Sequence, residues 1–223
     1  MKFVSLSLIF SIYSALSYCQ VDYSKLPEDY RRRIEEARQL LNGSDTLFLV
    51  EGVNGVLRGN NHICWSTLKR DNNVPTHRHN TTYYTVEEKK SRRRQRSTRS
   101  KKSTKSQKST ITYKLESRDT YWSVGTINST PVVSMNVYDT RAQTFNISGD
   151  YLLLETQPTC IVMGILTGNM YNSTCLHWVA EKNLTTNRTL CNRAFYYNCS
   201  SFVGDWYIWW QSCDYTNKPR KIE

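Results

Sequence analysis

The chain has 223 residues and a formal net charge of +11, and 39% of its residues are hydrophobic. This length is enough for one sizeable core, and no stretch beyond the N-terminal segment is apolar enough to cross a bilayer as a helix, which excludes a polytopic helical membrane protein. The charge is concentrated in residues 89–108, which contain eleven Lys or Arg and no acid, whereas the rest of the chain has 19 basic and 19 acidic residues.

Residues 1–19 predict a secretory signal peptide. Lys2 is followed by an apolar stretch with small hydroxyl residues and then by small-x-small cleavage sites. The mature protein is therefore expected to be extracellular, with one domain over residues 20–223. Cys19 is removed with the signal, unless cleavage before Tyr18 leaves it as an odd thiol.

Residues 24–41 predict one helix. Ser24 is a candidate N-cap, Pro27 suits the first turn, and Gly43 suits the C-terminal cap. Apolar residues recur at helical spacing at Tyr30, Ile34, Ala37 and Leu41.

Short strand-like segments follow, rich in Val, Ile, Thr, Tyr and Trp and separated by turn signals such as Asn-Gly and Ser-Gly-Asp. They are residues 47–53, 62–69, 81–88, 110–117, 121–127, 132–139, 142–148, 151–157, 160–166 and 175–181. Regular short strands of this kind are typical of a sandwich or an up-and-down barrel.

The C-terminal part predicts a short helix and an extended aromatic tail. Cys191, Phe195 and Cys199 are four residues apart and therefore share one helical face, and the tail covers residues 205–213. The predicted fold class is mainly β (α+β), an antiparallel barrel with an N-terminal helix and a C-terminal helix, cross-linked by disulfides.

Cysteines and glycosylation signals both favour secretion. The six cysteines after Cys19 indicate three disulfides, whose pairing the sequence alone leaves open. Eight Asn-x-Ser/Thr sequons predict a glycosylated surface. They are at Asn42, Asn80, Asn128, Asn146, Asn172, Asn183, Asn187 and Asn198.

Four features together resemble the tick salivary lipocalins, also called the histamine-binding protein family. They are the predicted helix leading into FLVEG at 48–52, Cys64 at the start of a strand, the run YLLLETQPTCIVMGIL at 151–166, and CLHWV at 175–179 followed by Cys-x3-Phe-x3-Cys and a last cysteine. The many sequons are similar to those of the Japanin-like immunomodulatory members. The resemblance covers nearly the whole mature chain except the basic run.

The resemblance implies an eight-stranded antiparallel lipocalin barrel with a small ligand inside it. It also implies three disulfide pairs, Cys64–Cys213, Cys160–Cys191 and Cys175–Cys199.

Amine binders of the family resemble Cys-Asp-[Val/Ile/Leu] in one strand and Glu-Leu-Trp in a later one. This chain has Ile161 and Leu176 in place of the two acids, and only Trp178 matches. A buried amine needs such carboxylates, so a lipid, sterol or fatty acid fits better than histamine. The candidate lining residues are Trp178, Trp122, Tyr151, Leu153, Glu155 and Met135, although alternation does not say which face of each strand is inward, and the same residues could simply pack the core.

The basic run at 89–108 is predicted to be a disordered insertion between two strands, since it contains no apolar residue. One interpretation is a polyanion anchor, for example for heparan sulfate, and another is cleavage by a furin-like protease at the Arg-x-x-Arg sequence 93–96. A tolerated solvated loop is the third alternative. Nucleic acid is not an expected partner. The candidate polyanion-binding residues are Arg92, Arg93, Arg94, Arg96, Arg99, Lys101 and Lys102.

The sequence therefore predicts a secreted lipocalin that sequesters a small host-derived lipid, sterol or biogenic amine to modulate inflammation or immunity. The alternative is an immunomodulator that acts on a host immune-cell protein or is held by glycosaminoglycans through its surface and basic loop. An enzyme is not predicted, because no nucleophile, phosphate-loop or metal-pair motif is present. His77 and His79 are expected to be solvent-exposed, and no cofactor or metal is expected.

Overall fold

The computed structural model describes residues 22–71, 76–90, 109–138, 147–186 and 188–220. The described helices are α1 (Glu28–Asn42), α2 (Thr189–Cys199) and the single turn α3 (Trp209–Ser212). The described strands are β1 (Leu47–Val53), β2 (His62–Asp71), β3 (His77–Lys90), β4 (Ser109–Ile127), β5 (Thr130–Tyr138), β6 (Gly149–Gln157), β7 (Cys160–Ile165), β8 (Thr174–Ala180) and β9 (Trp206–Ile208).

The first eight strands form a closed antiparallel barrel. Neighbours follow the order β2 to β8, β8 pairs with β1, and β1 closes the ring by pairing with β2 through Leu47↔Thr67 and Phe48↔Ser66. Strand β9 adds to the free part of β1. The predicted fold class, a mainly β barrel with helices and three disulfides, is confirmed.

Two predicted regions are organised differently in the structure. Segments 110–117 and 121–127 form one continuous strand, β4, because the residues between them pair with β3 without interruption. The tail at 205–213 is not extended throughout: it forms β9 and then turns into α3.

Contacts between the walls show which face of each strand is inward. Trp122 on β4 packs edge-to-face against Trp178 on β8, with ring centroids 5.9 Å apart, so both rings are inside the barrel. Trp178 is aligned with Leu49 on β1 and Ile161 on β7, which therefore also face inward. The alternate residues of β7 and β8 face outward, towards α2.

Helix α1 lies across one end of the barrel. His79, inward on β3, donates from Nε2 to the carbonyl of Leu41 at 2.9 Å, and Arg38 donates to the carbonyl of Val124 at 3.2 Å. The buried residues of α1 are Ile34, Ala37, Leu40 and Leu41. Pro27 precedes the helix without a side-chain cap, so the predicted capping by Ser24 is wrong, whereas Gly43 does cap the end.

Three disulfides hold the C-terminal part on the barrel. They are Cys64–Cys213, Cys160–Cys191 and Cys175–Cys199, the pairs that the resemblance implies. The last two both fix α2 against the outer wall, through β7 and β8 respectively.

Several predictions fall on residues outside the described ranges. These include the signal peptide at 1–19, most of the predicted strand at 142–148 and the sequons at Asn146 and Asn187. Lys89 and Lys90 form the end of β3, whereas residues 91–108 of the basic run are not described.

Candidate ligand-binding site

Five of the six predicted lining residues are buried inside the barrel. Trp122 and Trp178 are in direct contact, and Met135 pairs with Trp122 across β4 and β5. Tyr151 and Leu153 on β6 alternate with outward residues, and the five are each at most 3% exposed. The structure therefore brings these side chains together as one apolar and aromatic interior.

Glu155 is placed differently. A β-bulge between Leu153 and Glu155 shifts the register of β6, so that Glu155 aligns with Val162 on the outward face of β7. Its carboxylate accepts a hydrogen bond from Arg32 of α1 at 2.9 Å. Glu155 thus holds α1 on the barrel rather than sharing the inward face of Tyr151 and Leu153.

The two interior tryptophans carry unpartnered donors. The indole N–H groups of Trp122 and Trp178 have no hydrogen-bond partner within the part of the chain that the structure describes. A buried donor left without an acceptor costs about 1–3 kcal/mol. An oxygen atom of a bound ligand is one acceptor that offsets this cost.

A chain of hydrogen bonds crosses the interior near α1. Thr120 donates to Thr81 at 2.8 Å, and Thr81 donates to Thr67 at 3.0 Å. The hydroxyl of Thr67 lies 3.3 Å from Nδ1 of His79, whose other nitrogen faces the carbonyl of Leu41. The expectation that His79 is solvent-exposed was wrong, because it occupies a buried strand position with 1% exposure.

The opposite end of the barrel, called the mouth below, includes charged residues. Glu116 is on the same face of β4 as Trp122 and forms ion pairs with Lys114 and Arg118. Nearby, Trp65 stacks on Tyr83 with ring centroids 4.4 Å apart. The inward carboxylate at the mouth is therefore already paired with two cations.

One buried polar pair was missed by sequence reasoning. Nδ1 of His177 lies 3.1 Å from Glu51, outside the barrel wall and beneath α2, where His177 stacks on Phe195. The two residues are 126 positions apart in the chain. Only the pairing of β1 with β8 brings them together, and no local pattern signals it.

The described sequons differ in their surroundings. Asn42, Asn128 and Asn172 are exposed, while Asn80, Asn183 and Asn198 are half-buried. The predicted polyanion-binding residues all lie within 91–108, outside the described ranges. The ends of β3 and β4 that this run joins are at the mouth.

No helix in the described ranges is long and apolar enough to cross a membrane. The described residues contain one cluster with metal-ligating side chains, formed by Cys160, His177 and Cys191.

A closed eight-stranded antiparallel barrel with a helix across one end is a lipocalin-like fold. Neither a protein-family model nor a curated protein matches the sequence. Among solved structures, the chain is similar to "Japanin from Rhipicephalus appendiculatus bound to cholesterol", with a TM-score of 0.50 and 16% sequence identity over 74% of this chain and 91% of that one. This likeness concerns the fold.

Proposed function

We propose that the protein is a secreted lipocalin that sequesters a small, mainly apolar ligand in its barrel. The observation that carries the proposal is the inward face of the barrel, where Trp122, Trp178, Met135, Tyr151 and Leu153 converge. A site lined by apolar and aromatic side chains with few polar groups suits a lipid or sterol. The structure that shares the fold contains cholesterol, which supports the same class of ligand.

The ligand's polar group is best an oxygen that accepts hydrogen bonds. The indole N–H groups of Trp122 and Trp178 supply donors without partners in the described ranges. A cationic amine is less suited, because Glu155 is paired with Arg32 and Glu116 with Lys114. Histamine or another amine would have to displace one of these ion pairs.

Binding requires side chains to move. Trp122 and Trp178 are both 0% exposed, so a ligand reaches them only when the side chains around them move apart. Entry from the mouth is expected, because α1 closes the other end. Modulation of host inflammation or immunity by removal of such a ligand is the biological role that this proposal implies.

Native mass spectrometry of the deglycosylated protein secreted from eukaryotic cells tests this function. We expect one stoichiometric lipid or sterol per chain, released and identified by solvent extraction. An empty barrel, with no change in tryptophan fluorescence on titration with cholesterol or a long-chain fatty acid, would contradict the proposal.

Trp178→Phe is the informative variant for the same measurement. It retains an aromatic ring and removes an N–H that has no protein partner in the described ranges, so the fold should be kept with the modest loss of stability that a smaller buried ring causes. Ligand affinity should fall by about three- to tenfold if this N–H donates to the ligand. Trp210→Phe, at an exposed position, is the matched control.

A second candidate function acts through the surface. Several aromatic side chains of α2 and the C-terminal part are exposed, notably Tyr197 at 87% and Tyr215 at 76%. Together with the basic run at 89–108, they favour a host protein or heparan sulfate as partner. Salt-sensitive retention on heparin combined with an empty barrel would favour this function.

A further inference from the structure

Three buried groups meet on the outer wall of the barrel, beneath α2 and away from its interior. They are Cys160 on β7, His177 on β8 and Cys191 on α2, each 0% exposed. The sulfur atoms and a histidine nitrogen all lie within 4.8 Å of one another. Cys160 and Cys191 form a disulfide, so His177 lies directly beside that bond.

Glu51 determines which ring nitrogen of His177 carries the hydrogen. An ionised carboxylate only accepts hydrogen bonds, so Nδ1, at 3.1 Å from Glu51, carries the hydrogen. With this hydrogen on Nδ1, the lone pair of the ring is on Nε2. Within the described ranges Nε2 has no hydrogen-bond partner. A carboxylate bound to one ring nitrogen while the other is free is the arrangement found behind metal-ligating histidines.

We propose that reduction of the Cys160–Cys191 disulfide creates a site for a thiophilic divalent cation such as Zn²⁺, with the two thiolates and Nε2 of His177 as ligands. A small thiol or phosphine reductant supplies the two electrons that break the S–S bond and is itself oxidised. Cation binding then releases two protons, one from each thiol. Water completes the coordination.

The distances allow this change with little movement. Zinc–sulfur bonds of about 2.3 Å and zinc–nitrogen bonds of about 2.0 Å place tetrahedral ligand atoms roughly 3.5–4 Å apart. The two sulfur atoms and one ring nitrogen of His177 lie within 4.8 Å of one another, so movements of about 1 Å by side-chain rotation bring the ligand atoms to this spacing.

The charges also match a divalent cation. Arg188, at the start of α2, is half-buried, interacts with Glu51, and has two nitrogens without a partner in the described ranges. Two thiolates and Glu51 carry three negative charges, which Arg188 and a divalent cation neutralise. Since an unbalanced charge is costly in a buried site, this balance disfavours a monovalent ion.

The cation would take over the role of the disulfide in holding α2 against β7. The Cys175–Cys199 disulfide provides a matched control, because it joins α2 to β8 but belongs to no cluster with a histidine in the described ranges. This site is independent of the proposed ligand in the barrel.

Cobalt is a suitable probe because its bonds to thiolates absorb light. The full secreted chain is reduced with a phosphine and titrated with Co²⁺, added either before or after the reductant. We expect one Co²⁺ per chain, a thiolate-to-cobalt charge-transfer band, displacement by Zn²⁺, and no binding by the oxidised protein. The Cys175→Ser/Cys199→Ser variant should retain the band, and Cys160→Ser/Cys191→Ser should lose it.

Two further readouts separate ligation from folding. Glu51→Gln should weaken binding by about 10–100-fold, since it leaves the three ligands in place but removes the carboxylate that orients His177. Trypsin should cleave the reduced chain at Arg193 in α2 faster without Zn²⁺ than with it. Reduced protein that binds no Co²⁺ in either order of addition, or equal binding by the Cys160→Ser/Cys191→Ser variant, overturns the proposal.

Discussion

At the scale of single residues, His79 shows how the barrel controls protonation. It lies between the carbonyl of Leu41 and the hydroxyl of Thr67, on the inward face of β3. Burial lowers its pKa to about 4, so the ring is neutral at physiological pH. The hydrogen-bond chain that runs from Thr120 through Thr81 to His79 depends on this neutral form, since Nδ1 must accept.

This pKa predicts a loss of stability in acid. Above pH 6.5 the folded and unfolded states both hold a neutral His79, so it adds no pH dependence. As the pH falls from about 6.5 to 4, the unfolded chain binds a proton that the folded protein does not, which removes up to about 3 kcal/mol of unfolding free energy. His79→Gln should abolish this part of the pH dependence, as measured by urea unfolding at pH 7.5 and 4.5.

His77→Gln is the control for this measurement. His77 is on the same face of β3 and is half-buried, so burial lowers its pKa as well, but it is less buried than His79. Replacing His77 should change the pH dependence of the unfolding free energy less than replacing His79 does. If the unfolding free energy falls equally between pH 7.5 and 4.5 in the wild type and in His79→Gln, His79 is protonated in the folded state at the lower pH.

Local pattern could predict some inward residues but not others. Tyr151 and Leu153 follow from alternation once one face is known, whereas Glu155 does not, because a bulge is not visible in hydrophobic periodicity. The pairing of His177 with Glu51 depends on a contact between β1 and β8. Such a long-range contact has no local signal.

At the scale of elements, most strands could be predicted because Val, Ile, Thr and aromatic residues alternate between clear turn signals. The sequence predicts two segments in place of strand β4 because Arg118 and Asp119 interrupt its apolar pattern. In the structure Asp119 accepts from Arg78 of β3 at 2.8 Å, and Arg118 pairs with Glu116 of its own strand, so both charges have partners within one continuous strand.

The elements also predict which sequons are used. Asn128 is exposed in the turn between β4 and β5, whereas Asn198 is half-buried in α2, where its side-chain amide donates to the carbonyl of Ala194 at 2.8 Å. A glycan on Asn198 replaces one hydrogen of this half-buried amide and has to fit against α2, and Cys199 beside it is cross-linked. Asn128→Gln should therefore increase electrophoretic mobility, and Asn198→Gln should not.

Glycopeptide mass spectrometry provides the direct measurement. The peptide containing Asn128 should be modified in most molecules, and that containing Asn198 in few. Full occupancy of Asn198 would contradict this assignment and indicate that the glycan is added before α2 folds.

At the scale of the whole molecule, the closed barrel places the two proposed functions in different regions. Its interior is suited to an apolar ligand, while its mouth is where the ends of β3 and β4 meet the basic run. Composition alone predicts that the net charge belongs to one segment, because the chain without residues 89–108 is electrically balanced. The closure of the barrel and the position of α1 could be expected only through the resemblance, since they depend on contacts between distant segments.

Removal of residues 91–108 tests this separation. Lys90 and Ser109 form the last pair of the β3–β4 ladder, so a two-residue Asn-Gly turn can join them. The deletion removes nine Lys or Arg and no acid, which lowers the formal net charge from +11 to +2. We expect unchanged thermal stability and ligand content but loss of salt-sensitive retention on heparin, because counterion release depends on these cations.

A variant with Gln at the seven predicted polyanion-binding positions retains the loop length and should behave like the deletion. Heparin retention that survives both changes would place polyanion binding elsewhere on the surface, and loss of the barrel ligand would show that the basic run takes part in ligand binding at the mouth.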